Sequence, residues 1–521
     1  MRRRRLWKIA LIIFLLALAL LVYAAWPGHS TFTISQETTY ITSPLDKDGY
    51  PDYVTALNER LRGDITPETN ANVLIWQVLG PRPEGANMPP EYFQWLGVPE
   101  PPEQGEYWVM WDKHLEERLK KEFRERLPEL NDRRDRAAKW PWQKKDEPEL
   151  ADWLARNEKP LAIVLEATRR TEYYNPLAPK KSADRWDLLI GSMLPNVQRC
   201  RELAAALACR AMLRVKEGKF DEAWRDLLAC HKLGRLVGRG GSLIELLVGV
   251  ALDRTASTAE IAFLGHANLP PDRISDCLRD LKALPPMPGV GDKINKYERF
   301  MCLDAFMSIA RNLQNIEDLN RPGGGASKAG NPLRRLFTRS VNWDPALRNA
   351  NRAYDRCAAL TRLTDRDQRA AEMKLIQQDF VHQTSIGFVE NQLLGPKARG
   401  ESIGKLLMGL TLASFDKVQN VEDRCGQIQG NLLLAFALAL FHADHGRYPA
   451  KLDELVPKYF ERIPDDVFSG KPLIYRLEGA GYLLYGVGQD GKDDNGHGYD
   501  DEPRGDDIAV RMPVPEPKIK K

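Results

Sequence analysis

The sequence predicts a mainly α-helical protein that begins with a transmembrane helix and ends in a small α+β module. The transmembrane prediction rests on one uncharged apolar run, Ile9 to Trp26. The helical prediction rests on apolar residues that recur every three or four positions through most of residues 52–425, which is the period of one helix face. In residues 425–511, a long apolar helix precedes short strand-like runs separated by glycine turns, a pattern typical of a helix covering a small sheet.

Residues 1–26 predict a membrane anchor with its N-terminus in the cytoplasm. Arg2 to Arg5 precede the apolar run, whose helix would rise about 27 Å, close to the roughly 30 Å hydrocarbon core of a bilayer. Arginines that flank a span stay on the cytoplasmic side, so the bulk of the chain is expected outside the cytoplasm. A cleaved signal peptide ending near Ala24 and Ala25 is the alternative, and it also exports the chain.

Composition argues against nucleic-acid binding and against a zinc site. The 521 residues carry a net charge of +3, whereas nucleic-acid binding needs a concentrated basic face. The seven cysteines are sparse and lack CxxC spacing, the usual arrangement of zinc ligands. Cys209 and Cys230 are the best candidates for a disulfide, and the alternative is that all seven are small buried residues on helix faces.

Proline- and glycine-rich stretches divide the chain into six consecutive segments. We expect them to be the anchor (1–26), an extended tether with an N-terminal helical region (27–110), a helical domain (111–285), a second helical region (286–424), the α+β module (425–511) and a tail (512–521). The second helical region contains a glycine-rich loop at 321–330. This loop lacks the Gly-Lys-Ser/Thr of a phosphate-binding loop, so we interpret it as a linker.

The helical domain contains one recognisable supersecondary pattern. Residues 207–236 predict two helices joined at Gly218. Small and aromatic residues around that turn match the register of a tetratricopeptide hairpin: Ala211, Gly218, Phe220, Ala223 and Leu227. A solenoid of such repeats needs at least about three copies, and one is evident. We therefore predict a tetratricopeptide-like hairpin inside an irregular helical domain.

No catalytic constellation emerges from the sequence, which has neither an HExxH helix nor a GxSxG turn. His442 and His445 are three residues apart at the end of an apolar helix. They could share a metal, but histidine also interacts favourably with a helix C-terminus, and we prefer that interpretation. His114 and His231 each stand alone on charged helices. We therefore assign no catalytic residue and identify no small-molecule substrate.

The acidic loop from Gly488 to Asp507 is the candidate ligand site. Carboxylate oxygens spaced through a glycine-rich loop are the ligands that calcium requires. The spacing differs from an EF-hand, because Lys492 stands where the third position would need an oxygen ligand. A solvated acidic turn is the alternative interpretation. The carboxylate pairs Asp465/Asp466 and Asp493/Asp494 also fall in turns, where aspartate bonds to local N–H groups.

Residues 425–511 resemble the soluble domain of type II secretion major pseudopilins. The long helix is apolar on the side of Leu432 and Phe436 and can cover the sheet. The matching motifs are the turn Gly446–Pro449, the strand Tyr482–Tyr485, the loop start Gly488–Gly491 and the closing run Asp506-Asp507-Ile508. The resemblance implies a structural calcium ion that holds the last segment against the sheet. It implies Asp506 and Asp507 as the main side-chain ligands, with Asp493 and Asp494 as further candidates.

The resemblance does not extend to the polymerising part of a pseudopilin. Residues 1–26 contain no Gly-Phe cleavage site and no acidic residue, so we do not expect the chain to be processed into a pilus. The whole arrangement resembles uncharacterised bacterial envelope proteins. We expect an inner-membrane protein with a periplasmic bulk that binds other envelope proteins as an interaction or scaffold component, accessory to a type II secretion or pilus-like system. An exported envelope hydrolase with a site in the helical domain is the alternative.

Overall fold

The computed structural model of this chain describes residues 30–311, 341–381 and 395–517, apart from positions 86, 183–184, 364 and 413–414. The predicted anchor at 1–26 and the glycine-rich loop at 321–330 lie outside the described residues. Within them, the chain is mainly helical and has a three-stranded antiparallel sheet near its C-terminus. The predicted combination of a helical chain with a small C-terminal sheet is therefore confirmed.

The described elements follow one another in chain order. The α-helices are α1 (Tyr53–Arg62), α2 (Ala71–Leu79), α3 (Pro90–Leu96), α4 (Trp111–Leu119), α5 (Phe123–Ala137), α6 (Pro148–Arg156), α7 (Glu158–Ala167), α8 (Pro195–Lys216), α9 (Phe220–Gly238), α10 (Leu243–His266), α11 (Pro271–Lys282), α12 (Val290–Lys293), α13 (Arg299–Ala310), α14 (Asp344–Leu360), α15 (Arg366–Phe380), α16 (Pro396–Leu412) and α17 (Phe415–His445). The strands are β1 (Lys181–Ser182), β2 (Arg185–Trp186), β3 (Ile474–Glu478), β4 (Gly481–Gly486) and β5 (Ile508–Met512).

The chain divides into two compact units, each of which is discontinuous in sequence. The first unit consists of Met1–Leu57, Pro179–Ser192 and Ile294–Ser414. The second unit consists of Asn58–Ala178, Met193–Lys293 and Phe415–Lys521. These units do not follow the six consecutive segments expected from the sequence, because each unit collects pieces from both halves of the chain.

The first unit contains two aromatic pairs that involve helix α13. The ring of Phe300 lies 5.7 Å from that of Tyr53, and the ring of Phe306 lies 6.4 Å from that of Trp343. Such edge-on and tilted pairs add to the apolar area that the rings bury.

The predicted hairpin is present in the second unit as α8 and α9, which are joined at Gly218. Gly218 has a φ of +73°, a left-handed conformation that glycine adopts without a steric penalty. Helix α10 packs against both helices and meets α9 where Gly234 faces Gly249. A Cβ atom on Gly234 would lie 2.7 Å from the carbonyl oxygen of Gly249, so the two backbones approach closely because both residues lack a side chain.

Residues 173–178 cross the second unit as a buried segment without regular secondary structure. The amide of Asn58 bonds both main-chain groups of Leu177, accepting from its N–H at 2.8 Å and donating to its carbonyl at 2.9 Å. The amide of Asn70 likewise accepts from the N–H of Tyr174 and donates to its carbonyl, both at 2.9 Å. Buried backbone groups require partners, and asparagine side chains supply them here in place of a neighbouring strand.

Helix α17 lies between two hydrophobic cores of the second unit. Leu432 and Phe436 belong to the core of the helical part, where the ring of Phe436 lies 5.8 Å from that of Trp224. Leu434 and Leu438 belong to the separate core beneath the sheet. The sheet is therefore covered by these two leucines, and the side of Leu432 and Phe436 faces the other helices.

This double burial explains the apolar composition of residues 432–441 in α17, because a helical stretch that is apolar all round is a buried one. In the described part of the chain, Lys417–His445 is the helix long and apolar enough to cross a membrane by length and composition. However, 56% of its most apolar window is buried inside the protein. Core helices of globular proteins meet the same criterion, so this helix is weak support for a membrane span.

The sheet has the order β3–β4–β5, with both pairs antiparallel. The central strand β4 is buried at all six of its residues. Its Leu484 lies opposite Val510 of β5, and both residues belong to the core shared with α17. The acidic loop connects β4 to β5, so the position of β5 depends on how that loop is held.

Candidate functional site

The acidic loop is folded back on itself by residues in left-handed conformations. Gly491, Asn495 and Gly496 have φ values of +71°, +59° and +79°, which glycine and asparagine tolerate better than other residues. The N–H of Asp507 donates to the carbonyl of His497 at 3.0 Å. This bond joins the returning end of the loop to its middle.

Three carboxylates converge where the ends of the loop meet. Asp490, Asp494 and Asp506 each offer one oxygen, and these oxygens all lie within 4.8 Å of one another. Calcium binds oxygen at about 2.3–2.6 Å, so two ligands on opposite sides of the ion are about 5 Å apart. The spacing of these three residues, which we call the carboxylate triad, therefore fits one calcium ion.

Asp506 is held in the triad by the loop backbone. Its Oδ2 accepts from the N–H of Asp490 at 3.2 Å, and its own N–H donates to Oδ2 of Asp494 at 2.9 Å. Its buried Oδ1 has no hydrogen-bond partner among the described residues. Gly488 passes so close that a Cβ atom there would overlap the carboxyl group of Asp506. The absence of a side chain at Gly488 thus makes space for the carboxylate of Asp506, and its Oδ1 is available to a cation.

Asp507 lies beside the triad and supports the loop from inside. Its side chain is buried, and its Oδ2 accepts from the N–H groups of Asp494 at 3.0 Å and Gly496 at 2.8 Å. Its Oδ1 finds no partner in the described part of the chain. Burial raises the pKa of Asp507 to about 6, and the nearby carboxylates of Asp494 and Asp493 contribute to the shift. A cation would relieve this unfavourable concentration of negative charge.

Asp493, the remaining predicted ligand, is engaged outside the triad. Its Oδ1 accepts from the hydroxyl of Tyr485 at 2.9 Å and from the N–H of Asn495 at 2.8 Å. The structure thus brings two of the four predicted ligands, Asp494 and Asp506, into the triad. The third member, Asp490, was not among the predicted ligands, although its place in the Gly488–Gly491 motif was a signal for it.

One cation already lies at the rim of the triad. The ammonium group of Lys492 lies 2.9 Å from Oδ2 of Asp490, and its side chain is 77% exposed. An exposed ion pair of this kind contributes little to stability. Lys492 therefore neutralises the triad only weakly, and a divalent ion could displace it.

A second cluster of titratable groups lies in the interior of the helical part of the second unit. His231 Nδ1 is 2.6 Å from Oδ1 of Asp253, and its Nε2 is 2.8 Å from Oε2 of Glu260. Arg235 also donates to Oδ1 of Asp253. The interpretation of His231 as an isolated residue is therefore wrong. Its partners are on α10, and sequence spacing does not show how two helices are rotated against each other.

This buried histidine cluster is closed to solvent. The side chains of His231, Asp253 and Glu260 are each at most 1% exposed. Burial opposes the charged form of His231, but the facing carboxylates of Glu260 and Asp253 outweigh it and raise the pKa of His231 to about 10. His231 is thus an imidazolium in a buried ion network.

The other histidines singled out in the sequence have local contacts. His445 Nδ1 lies 3.0 Å from the carbonyl of Phe441, and the ring of His442 lies 4.5 Å from that of Tyr448. Both sit at the C-terminal end of α17, as the helix-end interpretation expects. His114 is buried on α4, and its nearest charged partner is Asp152 at 3.8 Å.

Asp466 is buried in a turn beside the end of β4, whereas its neighbour Asp465 is exposed. The carboxylate of Asp466 accepts from the N–H of Phe468 at 3.1 Å and from the hydroxyl of Ser469 at 2.6 Å. It also accepts from the N–H of Val487 at 3.2 Å. This aspartate therefore joins the turn to the start of the acidic loop.

Among known proteins, no family model, curated protein or solved structure matches this chain. The resemblance of residues 425–511 to pseudopilins rests on sequence motifs alone. The site is therefore defined by its own geometry, which is a carboxylate triad at the point where the last strand joins the sheet.

Proposed function

We propose that this chain is a single-pass bacterial envelope protein that acts as an interaction or scaffold component and carries a structural calcium ion in its C-terminal loop. The calcium part of the proposal is supported chiefly by the convergence of Asp490, Asp494 and Asp506 within 4.8 Å. The location is supported by the sequence of residues 1–26, with the N-terminus in the cytoplasm and the bulk in the periplasm.

Calcium would stabilise the module by joining the two ends of the acidic loop. Asp490 and Asp494 lie on the outgoing part of the loop, and Asp506 lies on the part that returns to β5. Three carboxylates so close together repel one another in the absence of a cation. An ion bound to all three would replace this repulsion by attraction, and it would hold β5 against β4.

The scaffold role is favoured over the hydrolase role by the burial of the histidine cluster. A hydrolase needs a base that its substrate can reach. His231, Asp253 and Glu260 do converge in the helical part, but they are engaged with one another and buried. An accessory role in a type II secretion or pilus-like system is the specific form of scaffold function that the pseudopilin resemblance suggests.

Thermal unfolding of the full-length protein tests the calcium site. A ligand at one hundred times its dissociation constant stabilises the folded state by about 2.7 kcal/mol, so calcium should raise the melting temperature and EGTA should lower it. The double variant Asp494→Ala/Asp506→Ala should lose this response. Asp500→Ala removes an exposed carboxylate of the same loop that lies outside the triad and should retain it. A wild-type melting temperature that is the same in calcium and in EGTA contradicts the proposal.

Gly488→Ala tests the geometry of the calcium site, because it adds a methyl group beside Asp506 and removes no carboxylate. The added methyl group would overlap both the carboxyl group and the main-chain carbonyl of Asp506, so the loop must shift locally. The expected result is weaker calcium binding in isothermal titration with the protein still folded. Unchanged affinity would mean that Asp506 does not hold the ion in the arrangement described.

The interaction role is tested by comparing the envelope proteins captured in three samples. The tagged full-length protein should retain a defined partner in calcium and lose it in EGTA or with Asp494→Ala/Asp506→Ala. Equal retention in calcium, in EGTA and with the double variant would show that partner binding does not depend on the acidic loop. A reporter that is active only outside the cytoplasm, fused after Lys521, tests the topology, and an inactive but stable fusion would contradict periplasmic location.

A further inference from the structure

A cleft of about 560 Å³ opens in the second unit beside the end of the acidic loop. Helices α10 and α17 line it together with the chain on either side of β5. Its volume lies within the range of about 300–1,000 Å³ that is usual for small-molecule sites. The cleft is separate from the carboxylate triad, because Asp490, Asp494 and Asp506 do not line it.

The floor of the cleft is apolar, and its rim carries charged groups of both signs. Ile261 of α10, Ile428 of α17 and Val510 of β5 contribute aliphatic side chains. Arg254 of α10 and Arg424 of α17 contribute guanidinium groups. A few charged groups above an apolar surface form the usual pattern of a site for an amphipathic small molecule.

The guanidinium groups near the cleft lack carboxylate partners. Arg254, Arg424 and Arg504 form no ion pair with any residue in the described ranges. Arg424 and Arg504 both stack on the ring of Tyr499, with centroid distances of 4.6 and 5.5 Å. Arg424 donates from Nη1 to the main-chain carbonyl of Asp506 at 2.8 Å. That bond positions the side chain, and the buried Nε of Arg424 has no hydrogen-bond partner among the described residues.

The two rim arginines are close enough to repel each other. Both line the same cleft, and the positive charge of Arg254 acts on Arg424 against the attraction of Asp506 and Asp507. Arginine keeps its proton in proteins, so both positive charges persist. An anion placed between them would gain two charge-assisted interactions and remove the repulsion.

Most of the acidic groups that line the cleft are already engaged. Asp501 accepts from the N–H of Gly498 at 2.8 Å, and Asp507 accepts from two loop N–H groups. Asp135 is paired with the adjacent Arg134 at 3.2 Å. Asp500 is exposed on the loop. These carboxylates are thus bonded or exposed, whereas the buried Nε of Arg424 lacks an acceptor among the described residues, which an anion beside Arg254 and Arg424 would supply.

We propose that this cleft binds a small organic anion, a carboxylate or a phosphate ester with an apolar body. The anionic group lies between Arg254 and Arg424, and the apolar body covers Ile261, Ile428 and Val510. This binding activity goes beyond the scaffold role and does not require calcium in the triad.

Ligand-detected NMR on the full-length protein tests the proposal with four probes of equal chain length. Hexanoate and hexyl phosphate carry the anion, whereas hexanol lacks a charge and hexylamine carries the opposite charge. Both anions, or one of them, should bind at least about tenfold more tightly than hexanol and hexylamine, because a charge-assisted bond contributes roughly 1.5–3 kcal/mol. The anion that binds more tightly identifies the ligand class.

Two variants localise the binding. Arg254→Gln alters an exposed side chain and should weaken anion binding about tenfold, without affecting folding. Arg225→Gln alters an exposed arginine of α9 that does not line the cleft, and it should bind as the wild type does. The proposal is overturned if neither anion binds, if hexanol or hexylamine binds as tightly as the anions, or if Arg254→Gln leaves the affinity unchanged.

Discussion

His231 Nδ1 lies 2.6 Å from Oδ1 of Asp253, and both side chains are buried between α9 and α10. The same aspartate approaches α17, because its Oδ2 is 3.7 Å from the thiol of Cys425. One carboxylate of α10 thus contacts two other helices of the second unit, α9 and α17. The helix that carries the C-terminal module is therefore fixed to the helical part by polar contacts as well as by apolar packing.

Replacing His231 by glutamine should destabilise the protein severely. The substitution removes the positive charge between two buried carboxylates, and breaking a buried ion pair in this way costs about 3–5 kcal/mol. Urea denaturation followed by circular dichroism measures the loss. His442→Gln at the exposed end of α17 is the matched control and should change the stability by less than about 0.5 kcal/mol. A loss below about 1 kcal/mol for His231→Gln would mean that the cluster is not charged as described.

The same cluster should make stability fall at alkaline pH. The folded pKa of His231 is raised to about 10, whereas an unfolded histidine titrates near 6.5. Between these values the folded state holds a proton that the unfolded state has released, so stability falls as the pH rises. The contribution is complete below about pH 6.5 and is lost through about pH 10. The difference in unfolding free energy between wild type and His231→Gln should therefore shrink across this window, and a constant difference would contradict the prediction.

Alanine substitution at two helical glycines should have opposite effects. Gly249→Ala would place a methyl group against the backbone of α9, and such overpacking costs about 1–3 kcal/mol. Gly430→Ala on α17 meets nothing within 4 Å. It should leave stability unchanged or raise it by up to about 1 kcal/mol, because alanine favours helix more than glycine does. Thermal unfolding of the two variants should show a lower melting temperature for Gly249→Ala and an unchanged or higher one for Gly430→Ala.

The seven cysteines should be unreactive in the folded protein. All seven are buried and free, including the proposed pair Cys209 and Cys230, so the disulfide considered from the sequence is absent and the buried-residue interpretation is confirmed. Burial raises the pKa of the Cys200 and Cys209 thiols to about 12, and a thiol reacts through its thiolate. Ellman's reagent should find no thiol before denaturation and seven afterwards. Rapid labelling of the native protein would show that a described thiol is accessible.

Local sequence signals were enough to predict some of the elements. The two helices predicted in residues 207–236 lie within α8 and α9, and the predicted strand Tyr482–Tyr485 lies within β4. The turn at Gly218 was also foreseen from its glycine. In each case the periodicity of apolar residues or a turn residue acts within a few positions of the chain, so a single segment contains the information.

Contacts between segments were not predictable in the same way. His231 and Glu260 are 29 residues apart on different helices, and their meeting depends on the close approach of α9 and α10 at Gly234 and Gly249. In the acidic loop, all the candidate aspartates were visible in the sequence. Backbone N–H groups decide which carboxylate enters the triad, since Gly496 engages Asp507. Such choices follow from loop geometry that composition does not encode.

Helix α17 also sets where the chain can be divided. A truncation before Phe415 would remove the sheet, and it would also strip Leu432 and Phe436 from Trp224 and its neighbours. A fragment that starts at Phe415 would in turn expose those same side chains to water. The C-terminal module is therefore not a detachable domain, and transplanting it to another protein would require a recipient surface that replaces α8 to α11.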